Sequence, residues 1–311
     1  MTGPEFAVVL LRLLQYAGGS VVFGAACFFF YALPRTGSSA AGGLRWARPL
    51  LLLGAAALLA GSALGAAAQT AVMAGSWNEG LKPESLGFVL TGMEIGRAAI
   101  VRAAAGALIL GAAVFLRGRA FYFASAALGA VACLSMAWMG HGAATGGAAG
   151  RLHLVADMLH ILAASLWIGA LTPFLILVLK SRSASPQAHR ALHGALRGFS
   201  GIGSAIVAVL VASGLINSWF LVGPDGIPGL WTTPYGLLLL AKLVLFAIML
   251  ALAASNRLRL TPGLDIALET GVSPSVALAR LRRSLLAETA AGVVILGLVA
   301  WLGTLEPITP P

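Results

Sequence analysis

The sequence predicts an all-α fold: a polytopic transmembrane helical bundle of eight helices, with both termini on the outer, periplasmic side. Three observations lead there. Hydrophobic residues make up 59% of the 311 and charged residues only 10%. Apolar runs of about 20 residues, long enough to cross ~30 Å of hydrocarbon as helices, recur along the chain. None of these runs alternates polar and apolar residues as a barrel strand would.

Each run is bounded by Pro, Gly or charged residues. The first, near 6–31, begins almost at Met1, has no basic segment ahead of it and lacks an A-x-A site, so a retained helix is expected rather than a signal peptide. The second, third and fourth lie near 49–73, 95–116 and 119–139. Small-residue stretches such as GGSVVFG and GAAALLAGSALG suit close packing of the first two helices. A Gly/Ala-rich segment, 142–150, reads as a short flexible turn, with the fifth helix starting near Arg151 or Leu152 and running to 179. The last three runs fall near 198–222, 235–256 and 284–304. The longest inner connection, TPGLDIALETGVSPSVALARLRRS, carries a helix-start signal at Ser273 and Pro274 and is expected along the inner membrane surface. Residues 1–139 and 140–311 form two four-helix halves of one integral membrane unit.

Basic residues set the orientation. The connections after helices 1, 3, 5 and 7 hold 14 of the 20 Lys and Arg residues, among them Arg45, Arg48, Arg117, Arg119, Lys180, Arg197, Arg257 and Arg283. The positive-inside rule makes these connections cytoplasmic. The formal charge of +10 is then largely a topology signal and a contact with anionic lipid headgroups; it gives no reason to propose nucleic acid as a partner.

One stretch departs from the apolar pattern. GHGAATGGAAGRLHLVADMLH, residues 140–160, holds three of the five histidines and one of the three aspartates. On the fifth helix, steps of ~100° per residue put Asp157 roughly 40° from His153 and His160 about 20° to the other side. These three share a face with Ala164 and Trp167, and that face is expected to look into the bundle, because ionisable groups facing lipid cost several kcal/mol. A single His or Asp at a helix end is commonly an anchor or a hydrogen-bonding group, but three imidazoles and a carboxylate at one entrance read more economically as a metal or proton site. His153 and His160 are ~10 Å apart along the axis, so two stations are expected. The outer combines His141 and His153 with Met139 or Met136; the deeper centres on His160, and Asp157 orients His153 or holds an exchanged proton. Imidazole with thioether favours copper, Cu(I) ahead of Cu(II). Methionine is the weaker signal, being an ordinary apolar filler.

Other polar residues carry less. Asn217 fits an interhelical hydrogen bond better than a ligand oxygen, and Lys242 needs to snorkel or find a partner, with Asp157 a candidate. Glu94, Arg97 and Arg102 suit capping and anchoring of the third helix, whereas Arg12 and Glu288 are singletons with no assigned role. His189 and His193 have metal-binding spacing but lie in a basic inner lead, where a solvated face is usual and a cytoplasmic release site the alternative. Cys27 and Cys133 suggest no disulfide framework. There is no Walker A run and no DKTG-like phosphorylation motif, so an ion gradient, the membrane potential or proton exchange would have to drive any transport. No enzyme is expected.

The runs MGHGAATGGAAGRLHLVADMLHILAASLWIGAL (139–171), LVASGLINSWFLVG (210–223), LWTTPYGLLLLAKLVLFAIMLALAASNRLRLTP (230–262) and LRRSLLAETAAGVVILGLVAWLGTLEP (281–307) resemble the copper resistance D (CopD) family of bacterial inner-membrane proteins. The resemblance covers the second half closely and the first four helices in layout. It implies a copper homeostasis or copper resistance protein that moves copper across the inner membrane toward the cytoplasm, alongside a periplasmic copper-binding partner of the CopC type. Two readings from other classes compete with it: a membrane b-type cytochrome, whose haem b would take His141 opposite His153 or His160, and a copper-binding sensor or assembly protein without transport.

Overall fold

The computed structural model describes residues 2–31, 45–140, 142, 146–180, 186–270 and 274–308. Among them are eight helices long and apolar enough to cross a membrane, and no strand. They are α1 (Gly3–Phe30), α2 (Ala47–Met73), α3 (Glu94–Phe115), α4 (Gly118–Met139), α5 (Gly147–Lys180), α6 (Pro186–Leu221), α7 (Pro234–Glu269) and α8 (Ser275–Leu302).

Local chemistry fixes the helix starts. Thr2 caps α1 through a capping box with Glu5, whose carboxylate accepts from the Thr2 N–H at 2.7 Å, and Pro4 occupies the first turn. Thr233 caps α7, its hydroxyl accepting from the Gly236 N–H at 3.0 Å just after Pro234. Helices α5, α6 and α8 all begin earlier than their apolar runs, and α7 continues well past its own. The segment 142–150 is therefore not all turn: α5 starts at Gly147, which takes φ +71°. Hydrophobicity marks only the part of a helix within hydrocarbon, while backbone hydrogen bonding continues through the interface. Within the connection TPGLDIALETGVSPSVALARLRRS, Thr261–Glu269 continues α7 as helix, and Leu264 is fully buried.

The first four helices form a meander in which each packs on the next. Gly18 brings α1 onto α2, since a Cβ there would stand 2.8 Å from the Gly54 carbonyl oxygen; Gly106 does the same for α3 on α2, against the Ala55 carbonyl at 2.9 Å. The halves interlock through α5, which packs against α1, α4, α6 and α8, while α8 also touches α1. At the α1–α5 crossing a Cβ on Gly24 would strike the Ser165 carbonyl and lie 2.8 Å from Gly169 Cα. Gly24 itself lies in a π-helical turn, Val21–Ala25, and Pro173, one turn beyond Gly169, removes the backbone bond to the Gly169 carbonyl. Phe28 and Phe174 close the crossing, with ring centroids 4.9 Å apart.

The second half is looser. Helix α6 packs on α5 and α7 packs on α8, but α6 and α7 scarcely touch within the span. Leu53, Leu108, Val114, Phe123, Leu215 and Val244 are exposed, as befits side chains meeting lipid rather than water.

Candidate functional site

The polar face predicted on α5 looks inward, onto α6. The two helices are antiparallel, and three residues of each meet in order. His153, only 1% exposed, stacks on Phe220 with ring centroids 4.7 Å apart and planes 8° from parallel. One turn deeper, Asp157 Oδ1 accepts from Asn217 Nδ2 at 3.2 Å. Below that, His160 Nδ1 and Ser213 Oγ lie 3.0 Å apart, while Ser213 also donates to the Val209 carbonyl at 2.6 Å. Trp167 is buried farther along the same face.

The spacing explains the match. Residues 153, 157 and 160 climb one stripe of α5, and 213, 217 and 220 descend the facing stripe of α6 with the same 3,4 alternation. Asp157 is further enclosed by Gly142, where a Cβ would come within 2.6 Å of its Oδ2, so only glycine lets the α4–α5 connection rest on the carboxylate. Among the described residues, Asp157 and Lys242 of α7 make no contact ion pair. Beside Asp157, the carbonyl oxygen of Asn217 is buried and has no hydrogen-bond partner among the described residues.

The remaining candidates are distributed differently. His141 lies outside the described residues. Met136 and Met139 are both buried, in a cluster with Leu58, Ala105 and Ala132 against which Tyr16 and Ile161 pack. Met139 also lines a small cleft beside Arg12 and Arg102. Among the described residues, no group of three or more His, Cys, Asp and Glu side chains converges tightly enough to hold a metal ion by itself. His153 and His160 thus occupy separate levels, each with its own neighbours on α6.

Arg102 is not the anchor its position near the start of α3 suggests. It is 2% exposed, its Nε donates to Gln15 Oε1 at 2.9 Å and its Nη1 to the Ser135 carbonyl at 2.9 Å, tying α3 to α1 and α4. Arg12 is also buried and reaches Gln69 Oε1 at 3.5 Å. By contrast, Glu94 and Arg97 form the expected exposed pair at 3.9 Å. Sequence reasoning also missed Glu288, now buried between Trp167 and Asn256, and the α6 partners Ser213 and Phe220. The charged residues were detectable as breaks in apolar runs; Ser213 and Phe220 carried no signal of their own.

Two family models match the chain: copper resistance protein D over residues 193–302, and the copper resistance protein D-like N-terminal domain over residues 1–151. Copper resistance protein D of Pseudomonas syringae pv. tomato is 35% identical over 306 residues, 96% of each chain. Inner membrane protein YebZ of Escherichia coli is 31% identical over 174 residues, 55% of each chain. Copper transport protein CutJ of Bacillus subtilis is 34% identical over 143 residues, 46% of this chain and 23% of its own length. No solved structure matches.

Proposed function

Because the chain belongs to the copper resistance protein D family, we propose that it carries copper across the inner membrane toward the cytoplasm, taking the ion at the α5–α6 face. The chain is a multi-pass inner-membrane protein. One observation supports the site above all: in an apolar bundle, His153, Asp157 and His160 turn together onto Phe220, Asn217 and Ser213. Ionisable groups held inside a membrane bundle mark ion or proton pathways.

In this reading the termini and the α4–α5 connection are periplasmic. His153, with His141 and the thioethers of Met136 or Met139, takes copper at the outer level, and His160 receives it about 10 Å deeper. Imidazole and thioether ligands suit Cu(I). Asp157 fixes the geometry through Asn217 and supplies a negative charge that offsets part of the ion's desolvation cost. A periplasmic copper-binding protein of the CopC type is the expected donor. The protein is a carrier and not an enzyme: copper crosses unchanged apart from its ligands.

The test is metal analysis with a visible spectrum on detergent-purified protein, as isolated and after Cu(I) loading, followed by copper flux in sealed vesicles. Bound copper without a Soret band, reduced in His153→Ala and His160→Ala proteins that remain folded, is the expected result. Unchanged stoichiometry and affinity in both variants would sink the site. A strong Soret band with little copper would make α5 a haem-ligand helix, and copper binding without flux would leave a sensor or assembly protein.

A further inference from the structure

We propose that the cavity between α6 and α7 is the inner vestibule of this route, and that Glu288 at its membrane-embedded end binds a proton delivered from the cytoplasmic side. The proposal rests on the carrier reading and deepens it.

The cavity holds about 780 Å³. It exists because α6 follows α5 and α7 follows α8, leaving a wedge between the two pairs. Its deep end is formed by Trp167 and Leu171 of α5 and Glu288 of α8, all within the spans. Its other end is lined by His193 and Arg197 of α6 and by Arg257 and Asp265 of the inner part of α7. His193 Nε2 lies 3.3 Å from Asp265 Oδ1, and Arg257 reaches the Ser204 hydroxyl, so polar contacts bridge α6 and α7 at this end. By the positive-inside rule this end is cytoplasmic.

Glu288 is 2% exposed, near the middle of α8. Its Oε1 accepts from Trp167 Nε1 at 2.8 Å and its Oε2 from Asn256 Nδ2 at 2.9 Å. Both donors are neutral. No Lys, Arg or His among the described residues makes an ion pair with it; the charged groups of the cavity, Arg197, Arg257 and Asp265, and the titratable His193 lie toward its other end. Asn256 opens a π-helical turn, Asn256–Leu260, an irregularity frequent at functional sites, and its side-chain carbonyl oxygen is buried without a partner among the described residues. An orphaned acceptor next to a carboxylate, at the end of a large cavity, has the chemistry of a site that takes a small cation or water.

A carboxylate this deep, with only neutral donors, carries an uncompensated charge when ionised and none when protonated. The two forms differ by one unit charge, the charge of Cu(I). As a copper ion leaves inward, one proton from cytoplasmic water binds a carboxylate oxygen of Glu288, forming an O–H bond. When the next copper ion moves in from the outer station, that O–H bond breaks and the proton leaves outward. No electron moves, and the charge inside the membrane is conserved. Trp167 lies on the same face of α5 as His160, about 10 Å farther in. Its indole, held by Glu288, lines the vestibule at its membrane-embedded end.

The tests separate this proposal from the carrier reading. With Cys27 and Cys133 replaced by Ser, a membrane-impermeant maleimide should label Ser200→Cys and Ala253→Cys from the cytoplasmic face of oriented vesicles only. Labelling from the periplasmic face alone, or from neither, overturns the vestibule. Infrared difference titration of the purified protein should reveal a protonated-carboxyl band that is lost in Glu288→Gln and retained in Asp157→Asn; no Glu288-dependent band overturns the proton site. In vesicles, copper influx should release protons outward in the wild type, and Glu288→Gln should lose that release while still binding copper at the outer station. Retained release overturns the proposal. Wild-type vesicles that move no copper would defeat the carrier reading while leaving the labelling and infrared outcomes to decide the vestibule and the proton site.

Discussion

Arg97 and Arg102 lie five residues apart on α3 and do different work. Arg97 makes an exposed pair with Glu94, while Arg102 is enclosed and donates to Gln15 and to the Ser135 carbonyl. Exposed i,i+3 pairs contribute a few tenths of a kcal/mol, whereas a buried hydrogen bond from a charged donor contributes ~1.5–3. Arg97→Ala should therefore leave stability within about 0.5 kcal/mol of wild type, and Arg102→Ala should cost roughly 2 kcal/mol or more. Denaturant titration in detergent would measure both; equal effects would contradict the assignment. Sequence alone treats the two arginines alike, because burial depends on which helices surround α3. Asp157 teaches the converse lesson. Its inward placement follows from the spacing of His153, Asp157, His160 and Trp167, since the cost of exposing such a group to lipid selects one face. Its partner Asn217 follows only from the register of α6.

At the scale of elements, glycine sets how closely helices approach. Gly24 and Gly169 face each other where α1 crosses α5, with no room for a side chain. Without a hydrophobic driving force between helices in lipid, such backbone contacts carry much of the packing. Gly24→Leu should force α1 off α5 and cost about 1–3 kcal/mol or more, read as a lower melting temperature in detergent. Gly111 of α3 faces open space, with no neighbouring atom within 4 Å of where a Cβ would stand, so Gly111→Ala serves as the control and should not lower the melting temperature. The eight helices themselves were legible from apolar length, because hydrocarbon leaves no water for unpaired backbone groups. Their true starts were not: α5, α6 and α8 extend beyond the apolar runs into segments whose composition looks like loop.

For the whole molecule, the two halves are continuous. Helix α1 packs on α5 and α8, so the N-terminal half completes the C-terminal one. Residues 1–139 and 140–311 expressed as separate chains should not give stable protein singly, whereas co-expression should restore it; independent stability of the second fragment would show that α1 is dispensable. The orientation is tested by a fluorescent protein that matures only in the cytoplasm: fused after Pro311 it should stay dark, and inserted at the α7–α8 connection it should glow. Composition and periodicity by themselves determined the membrane class, the number of helices and the face of α5 that carries the polar residues, since each follows from transfer of side chains and backbone out of water. Tertiary structure alone decided that Asn217, Ser213 and Phe220 receive that face, that Arg102 is buried, and that Glu288 ends a cavity between α6 and α7. Those facts depend on which helices are neighbours and at what register, and near-uniform Leu, Ala, Val and Gly surfaces do not encode that choice residue by residue.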